Sequence, residues 1–397
     1  MKFLIINTDY PQFLSSLYAQ NPGLDTASYQ QQMKVRNESL FGTADFYSLN
    51  LHKLGHEAVD IHANNVFMQK KWVEEYSSRD VKTIDSLIDG DLNKSNSQKL
   101  SHSTPMRYLK YLLFPLLKRE NEKPEWHYEI LRKQVEYYQP EIIWNHDLTL
   151  EENYLKQIKG NETYLIGQIA APIPKHVDFK IYDLILSSLP NFVEYFSSLG
   201  VNSTLQKLSF EPGILSCYTS QTATDIPISF VGSLSIEHKN RIKWLELICN
   251  NFDPSEFKIW GNGINSLSQK SPIRQFYNGP AWGRDMYAIL KKSKITLNCH
   301  INLSENYANN MRLFEATGMG ALLITDWKTN IADFFEPDKE VITYKTAEEC
   351  VELIKYYMNH DKEREEIARA GQKKTLTEHS TYERMKELVR IIERYHH

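Results

Sequence analysis

The residue types best suited to chemistry in this chain gather in one segment, Asn309-Asn310-Met311-Arg312-Leu313-Phe314-Glu315-Ala316-Thr317-Gly318-Met319-Gly320. Its pattern predicts a helix over Met311 to Met319, with Asn309 and Asn310 at its start. A helix N-terminus carries a positive partial charge worth about 0.3–1 kcal/mol at an anion. Arg312 adds a planar fork that matches diphosphate oxygens. Glu315 lies on the same helical face one turn later, and its carboxylate is an acceptor suited to two vicinal hydroxyls such as those of ribose. The plainer alternative is an intrahelical Arg–Glu pair on a surface helix. A small-residue helix end running into a buried strand is a poor setting for such a pair.

Three further loops offer related groups. Gly232 and Ser233 form a small turn after a predicted strand, where backbone N–H groups can approach a phosphate. Lys239 or Arg241, just beyond it, would add a charge-assisted hydrogen bond of roughly 1.5–3 kcal/mol. Gly261 and Asn262, within Trp260-Gly261-Asn262-Gly263, give a sharp turn that could admit the edge of a base. His300 follows another strand and could contact a sugar or a phosphate. The alternatives are a solvated helix start, an ordinary Asn-Gly turn and a packed histidine.

These loops need elements to position them. In the second half, short apolar runs (Pro227 to Val231, Phe257 to Trp260, Lys294 to Asn298, Ala321 to Thr325, Glu340 to Tyr344) alternate with helical patterns (His238 to Asn250, Gly283 to Lys292, Met311 to Met319). Such alternation predicts βαβ units and a parallel sheet, with ligand groups at the carboxyl ends of the strands. The first half repeats the theme with strands at Phe3 to Asn7, Ala58 to Ile61, Ile142 to Trp144, Tyr164 to Ile166 and Leu184 to Leu186. A helix is expected from Leu40 to Leu54, closed by Gly55. Between about 67 and 138 the strand signal vanishes, which reads as a helical insertion. The join between the halves is expected near Phe210 to Asp225, and a last helical pattern runs from Tyr382 to Tyr395.

Length and composition agree with this outline. A chain of 397 residues is too long for one ordinary core and predicts two domains. A formal net charge of -4 argues against a general nucleic-acid binder, because no basic field is available to gather phosphates. Cys217, Cys249, Cys299 and Cys350 are widely spaced, with no metal-ligand pattern, and are expected to be reduced thiols in a cytoplasmic protein. No run approaches the roughly 20 apolar residues of a membrane span. The stretch 106–119, Met106 to Arg119, is both basic and apolar. It could rest on an anionic membrane surface as a peripheral contact, or form a buried helix with basic ends.

Taken together, Val231-Gly232-Ser233-Leu234, Trp260-Gly261-Asn262-Gly263, Asn278-Gly279-Pro280, Ser293 to Asn298 and Arg312-Leu313-Phe314-Glu315-Ala316 resemble, in type and order, glycosyltransferases of the "group 1" type. The resemblance looks closest to the branch that includes the spore-maturation protein CgeB. It covers about residues 225 to 395; in the first half, Gly167-Gln168-Ile169-Ala170 and Ser187-Ser188-Leu189-Pro190 look similar only in a general way. It implies an α/β GT-B fold in which two Rossmann-like domains face a cleft. The first would span 1–215 on the acceptor side and carry the helical insertion. The second would span 216–380 and hold the nucleotide sugar, and a helix over 381–397 would cross back to the first.

The resemblance also implies transfer of a sugar from a nucleotide-diphosphate sugar, with UDP as the commonest case, to a hydroxyl of a glycan, lipid-linked sugar or protein, in surface polysaccharide or glycoconjugate synthesis. No metal and no separate cofactor would be required, and Glu315 would be the ribose-binding carboxylate. One departure stands out. Related retaining enzymes carry another glutamate eight positions before Glu315, where this chain has Tyr307, with Glu305 and Asn309 nearby. An inverting reaction would need a general base within hydrogen-bond reach of the acceptor. Asp9, His146 and Asp147 follow predicted strands and could supply it, or serve as turn or cap residues. The other readings of the same frame are a sugar-nucleotide epimerase or phosphorylase, or a non-catalytic surface-assembly protein.

Overall fold

Short runs of Ile, Leu, Val and Phe, apolar on both faces, build two all-parallel sheets in the computed structural model, which describes residues 1–77, 81–94, 123–160, 162–175, 177–218, 224–235, 238–308 and 310–395. The first sheet contains β1 (Lys2–Asn7), β2 (Glu57–His62), β3 (Ile142–Asn145), β4 (Tyr164–Gln168), β5 (Leu184–Ser187) and β6 (Ser203–Leu205), in the order β2-β1-β3-β4-β5-β6. The second contains β7 (Ile226–Val231), β8 (Phe257–Trp260), β9 (Ser293–Asn298), β10 (Leu322–Asp326) and β11 (Ile342–Tyr344), in the order β11-β10-β9-β7-β8. Strands buried on both faces need helices on both sides, which is what the intervening segments supply. Strand β6 escapes a reading of hydrophobic runs because Ser203-Thr204-Leu205 is a half-buried edge strand.

The helix expected from Leu40 begins only at Phe46 and ends at Lys53. Leu40, Gly42 and Ala44 have φ of 58°, 61° and 44°, which no helix tolerates. Docking overrides local propensity here. Ala44 and Phe46 are buried with Leu313, Phe314 and Tyr287 of the second sheet's helices, and Leu40 packs against the same cluster. The approach is close: the Arg284 N–H donates to the Ser39 carbonyl at 2.9 Å. A Cβ on Gly283 (φ 40°) would lie 2.0 Å from that carbonyl oxygen. Only glycine permits this contact.

Helices Val66–Tyr76, Val81–Lys94 and Glu125–Tyr138 occupy the described part of the expected insertion. They bury Trp72, Val73, Ile84, Ile88, Trp126 and Ile130 against Phe13, Leu14 and Leu17. The basic, apolar stretch 106–119 lies outside the described residues. The last helix, Thr381–Tyr395, places Met385, Leu388 and Ile392 among Phe3, Ile5, Tyr47 and Leu51, so it packs on the first sheet. The chain therefore passes between the two sheets twice, and the passages are paired. The Phe210 N–H donates to the His379 carbonyl at 3.0 Å, and the Thr381 N–H donates to the Phe210 carbonyl at 2.9 Å. Among the described residues, no helix is long and apolar enough to cross a membrane.

Candidate active site

The helix Met311–Met319 is started by Asn310, whose side-chain oxygen accepts from the Leu313 N–H at 3.2 Å. The Asn310 amide also donates to Asn298 Oδ1 at 2.9 Å, which fixes the helix start to the end of β9. Asn310 is thus committed to capping and does not line the cleft described below. Arg312 Nε donates to the Val231 carbonyl at 3.2 Å, and its Nη1 lies 2.8 Å from Glu315 Oε2. Glu315 is 6% exposed. Burial pushes its carboxyl above the usual glutamate range, against the opposing pull of Arg312 and a hydrogen bond from the Tyr287 hydroxyl. The pair expected from sequence exists, but it is held inside the protein rather than on its surface.

Two glycine turns meet beside it. The Gly232 N–H donates to the Trp260 carbonyl at 3.0 Å, and the Leu234 N–H to the Asn262 carbonyl at 2.7 Å. Gly261 has φ 153°, and a Cβ there would sit 1.7 Å from the Gly232 carbonyl oxygen. No side chain fits between the turns after β7 and β8. Arg241 locks the arrangement from behind by donating from Nη1 to the Ser233 carbonyl at 3.3 Å and from Nη2 to the Cys299 carbonyl at 2.7 Å. Its guanidinium is buried, which lowers its pKa, and it braces loops instead of facing the cleft.

These parts form one wall of a cleft of about 650 Å³ between the two sheets. Gly232, Ser233, Gly261, Asn262, Arg312 and Glu315 line it from the second unit, and Asn7, Thr8, Asp9, Tyr10, Arg36 and His146 from the first. Lys239 is exposed and His300 is buried, and neither lines the cleft. The His300 ring instead sits with Nδ1 2.6 Å from Asp326 Oδ1. Asn309 lies outside the described residues. Glu305, at φ 48°, is exposed in the preceding loop, and neither it nor Tyr307 lines the cleft.

The three candidate bases have different fates. Burial by itself would raise the Asp9 carboxyl, but Arg36 and His62 outweigh it and hold the group far below the usual carboxylate range. Arg36 Nη2 is 2.5 Å from Asp9 Oδ1, and His62 Nδ1 is 3.1 Å from Oδ2. A carboxylate so engaged accepts a further proton poorly. Asp147 does not line the cleft; it faces Lys123, whose Nζ is 2.7 Å from Oδ2, and Thr149. His146 does line the cleft, packed edge-on against Trp144, and burial pushes its pKa down to about 3. It is neutral at pH 7 and weakly basic.

Arg36, Tyr10 and Trp282 were not found from sequence. Arg36 sits in Gln30-Gln31-Gln32-Met33-Lys34-Val35-Arg36, a polar stretch that reads as solvated. Its partner Asp9 is remote in the chain, so no spacing joins them. Among the described residues, no three His, Cys, Asp or Glu side chains converge as metal ligands would.

Residues 241–390 match the family model described as "Glycosyl transferase-like". Among curated proteins, none matches the chain significantly. Solved structures resemble it over its whole length at low identity. A glycosyltransferase from Rickettsia africae ESF-5 superposes with a TM-score of 0.53 at 11% identity, covering 99% of this chain and 98% of that one. AviGT4, a glycosyltransferase involved in avilamycin A biosynthesis, gives a TM-score of 0.55 at 10% identity over 100% and 98% of the two chains. Anabaena HepE, solved with UDP and glucose, gives 0.53 at 9% identity over 99% and 100%. The two facing parallel sheets are therefore a GT-B fold, with its second half matched by a glycosyl transferase-like family.

Proposed function

We propose that this protein transfers a sugar from a nucleotide-diphosphate sugar, of which UDP-sugars are the first to test, to a hydroxyl of a glycan or glycoconjugate acceptor. The observation that carries this reading is the Arg312–Glu315 pair at the first turn of helix Met311–Met319, beside the interlocked turns at Gly232 and Gly261. Arg312 and the start of its helix suit a diphosphate, and Glu315 suits the ribose hydroxyls. HepE, a solved structure of the same fold, is described in complex with UDP and glucose, which supports the choice of UDP as first probe.

The first-unit wall favours a reaction without a protein base. Asp9 is tied into an ion pair, Asp147 faces elsewhere, and His146 is a weak base. In this reading the bond between the sugar anomeric carbon and the diphosphate oxygen breaks, and its electron pair goes to that oxygen. The acceptor oxygen bonds to the same carbon from the same side. The acceptor proton passes to the departing diphosphate, so the anomeric configuration is retained. Arg312 and the helix N-terminus stabilise the charge that develops on the diphosphate.

Two measurements test this reading. A thermal-shift screen of UDP, GDP, dTDP, CMP and ADP should raise the melting temperature for one nucleoside diphosphate, because a ligand that binds only the folded state stabilises it. Glu315→Ala should abolish that shift while leaving the fold intact. Early NMR spectra of the sugar released from the matching nucleotide sugar should then show the donor's own anomer. A folded Glu315→Ala protein with unchanged nucleotide affinity overturns the nucleotide assignment, and an inverted anomer overturns the base-free route.

A further inference from the structure

At the mouth of the cleft, Tyr10 is 62% exposed, the highest among the large apolar side chains described. It is nevertheless fixed. Its backbone starts the helix Pro11–Gln20, its carbonyl accepts from the Leu14 N–H at 3.0 Å, and Pro11 restricts its conformation. Its ring stands edge-on to Phe41 at 5.7 Å and tilted to Trp282 at 6.2 Å. Phe41 in turn stands edge-on to Trp282 at 5.3 Å and stacks on Phe13 at 3.9 Å. A lone exposed tyrosine is ordinary. One in aromatic contact with both units, on the lining of a cleft, presents a largely exposed ring to whatever enters.

We propose that Tyr10, backed by Phe41 and Trp282, is a stacking platform for a pyranose ring, so that the acceptor presents a saccharide to the cleft. The inference rests on the glycosyl-transfer reading above and adds the residues that would hold the acceptor's sugar. The negative face of an aromatic ring attracts the polarised C–H bonds on the apolar face of a sugar. Thr8 and Thr43 line the cleft with Tyr10 and offer hydroxyls to the sugar's rim. The arrangement of one apolar face beside a few polar groups suits a carbohydrate better than an acyl chain. The platform is also composite. Phe41 belongs to the loop seated on Gly283, so Tyr10 and Trp282 stay together only while that contact between the units holds.

Saturation-transfer NMR tests this with methyl α- and β-glucopyranoside, N-acetylglucosamine, maltotriose and cellotriose, each with and without UDP. At least one of these sugars should receive saturation from wild-type protein. Tyr10→Ala should reduce the signal at least about fivefold and Tyr10→Phe should retain it, since the ring and not the hydroxyl makes the contact. Absence of any sugar signal, or a Tyr10→Ala protein with undiminished signal, overturns the proposal. UDP affinity, measured in parallel by calorimetry, should be unchanged in Tyr10→Ala. If UDP fails to bind the wild type while a Tyr10-dependent sugar signal persists, the platform stands and the nucleotide reading falls.

Discussion

The two walls of the cleft handle charge differently. On the second-unit wall, Arg312 and Glu315 share one turn of one helix, and the backbone turns beside them are short and glycine-bearing. On the first-unit wall, Arg36 and Asp9 come from separate segments and are joined to each other in a buried ion pair, with His62 Nδ1 3.1 Å from the same carboxylate. Both pairs are buried, but the second-unit pair lies beside two glycine turns. The first-unit pair instead lies beside the Tyr10 ring and the hydroxyls of Thr8 and Thr43. Two buried Arg–carboxylate pairs on one cleft therefore look alike in composition and differ in what surrounds them.

That contrast can be tested first where the effect should be largest. Asp9→Ala leaves the Arg36 guanidinium buried without its partner, and breaking such a pair costs about 3–5 kcal/mol of stability. Urea denaturation should show this loss, whether or not nucleotide is present. The same pair sets a pH dependence. Asp9 is held below its unfolded pKa, so its contribution is complete above that value, about pH 4, and is lost as pH falls toward the depressed folded value.

Glu315→Ala should act on the other wall, lowering nucleotide affinity as well as the stability that its buried pair with Arg312 contributes. Nucleotide affinity measured by calorimetry should fall by about 2 kcal/mol, the worth of hydrogen bonds to a charged group. Because burial raises the Glu315 carboxyl, wild-type affinity should begin to weaken on acidification at a higher pH than an ordinary glutamate would give. A Glu315→Ala protein that loses stability and keeps its nucleotide affinity would erase the distinction between the walls.

Gly261→Ala comes next. Its Cβ would meet the Gly232 carbonyl, so the turns must part, and a roughly tenfold loss of nucleotide affinity, about 1.4 kcal/mol, is expected by calorimetry. The smallest effect should come from Lys239→Ala. Lys239 is exposed and off the cleft, so both stability and affinity should stay within about 0.5 kcal/mol of wild type. A large loss there would return a phosphate role to Lys239, one of the two basic residues the sequence offers for it.

The second unit was readable because its signals are local. Strands β7 to β10 are short apolar runs, the helix start at Asn310 is a side-chain cap, and Arg312 and Glu315 are one turn apart. Where a residue lies off the cleft or outside its expected element, its own partners account for it. Arg241 reads as a phosphate ligand at the head of its helix, yet Ser233 and Cys299 carbonyls claim it. Asn310 reads as a ligand and is consumed as a cap, while His300 is taken up by Asp326. Leu40 to Ala44 read as helix and are bent by docking onto Trp282 and Gly283.

By itself, then, the sequence determined the alternation of strand and helix, the α/β class and the i, i+3 placement of Arg312 and Glu315, because periodicity and spacing act over a few residues. Tertiary structure alone decided which charged groups reach the cleft and which are neutralised on the way. It also decided that Tyr10 meets Trp282 across the chain. Those outcomes depend on burial and on partners from tens to hundreds of residues apart, and a one-dimensional pattern carries neither.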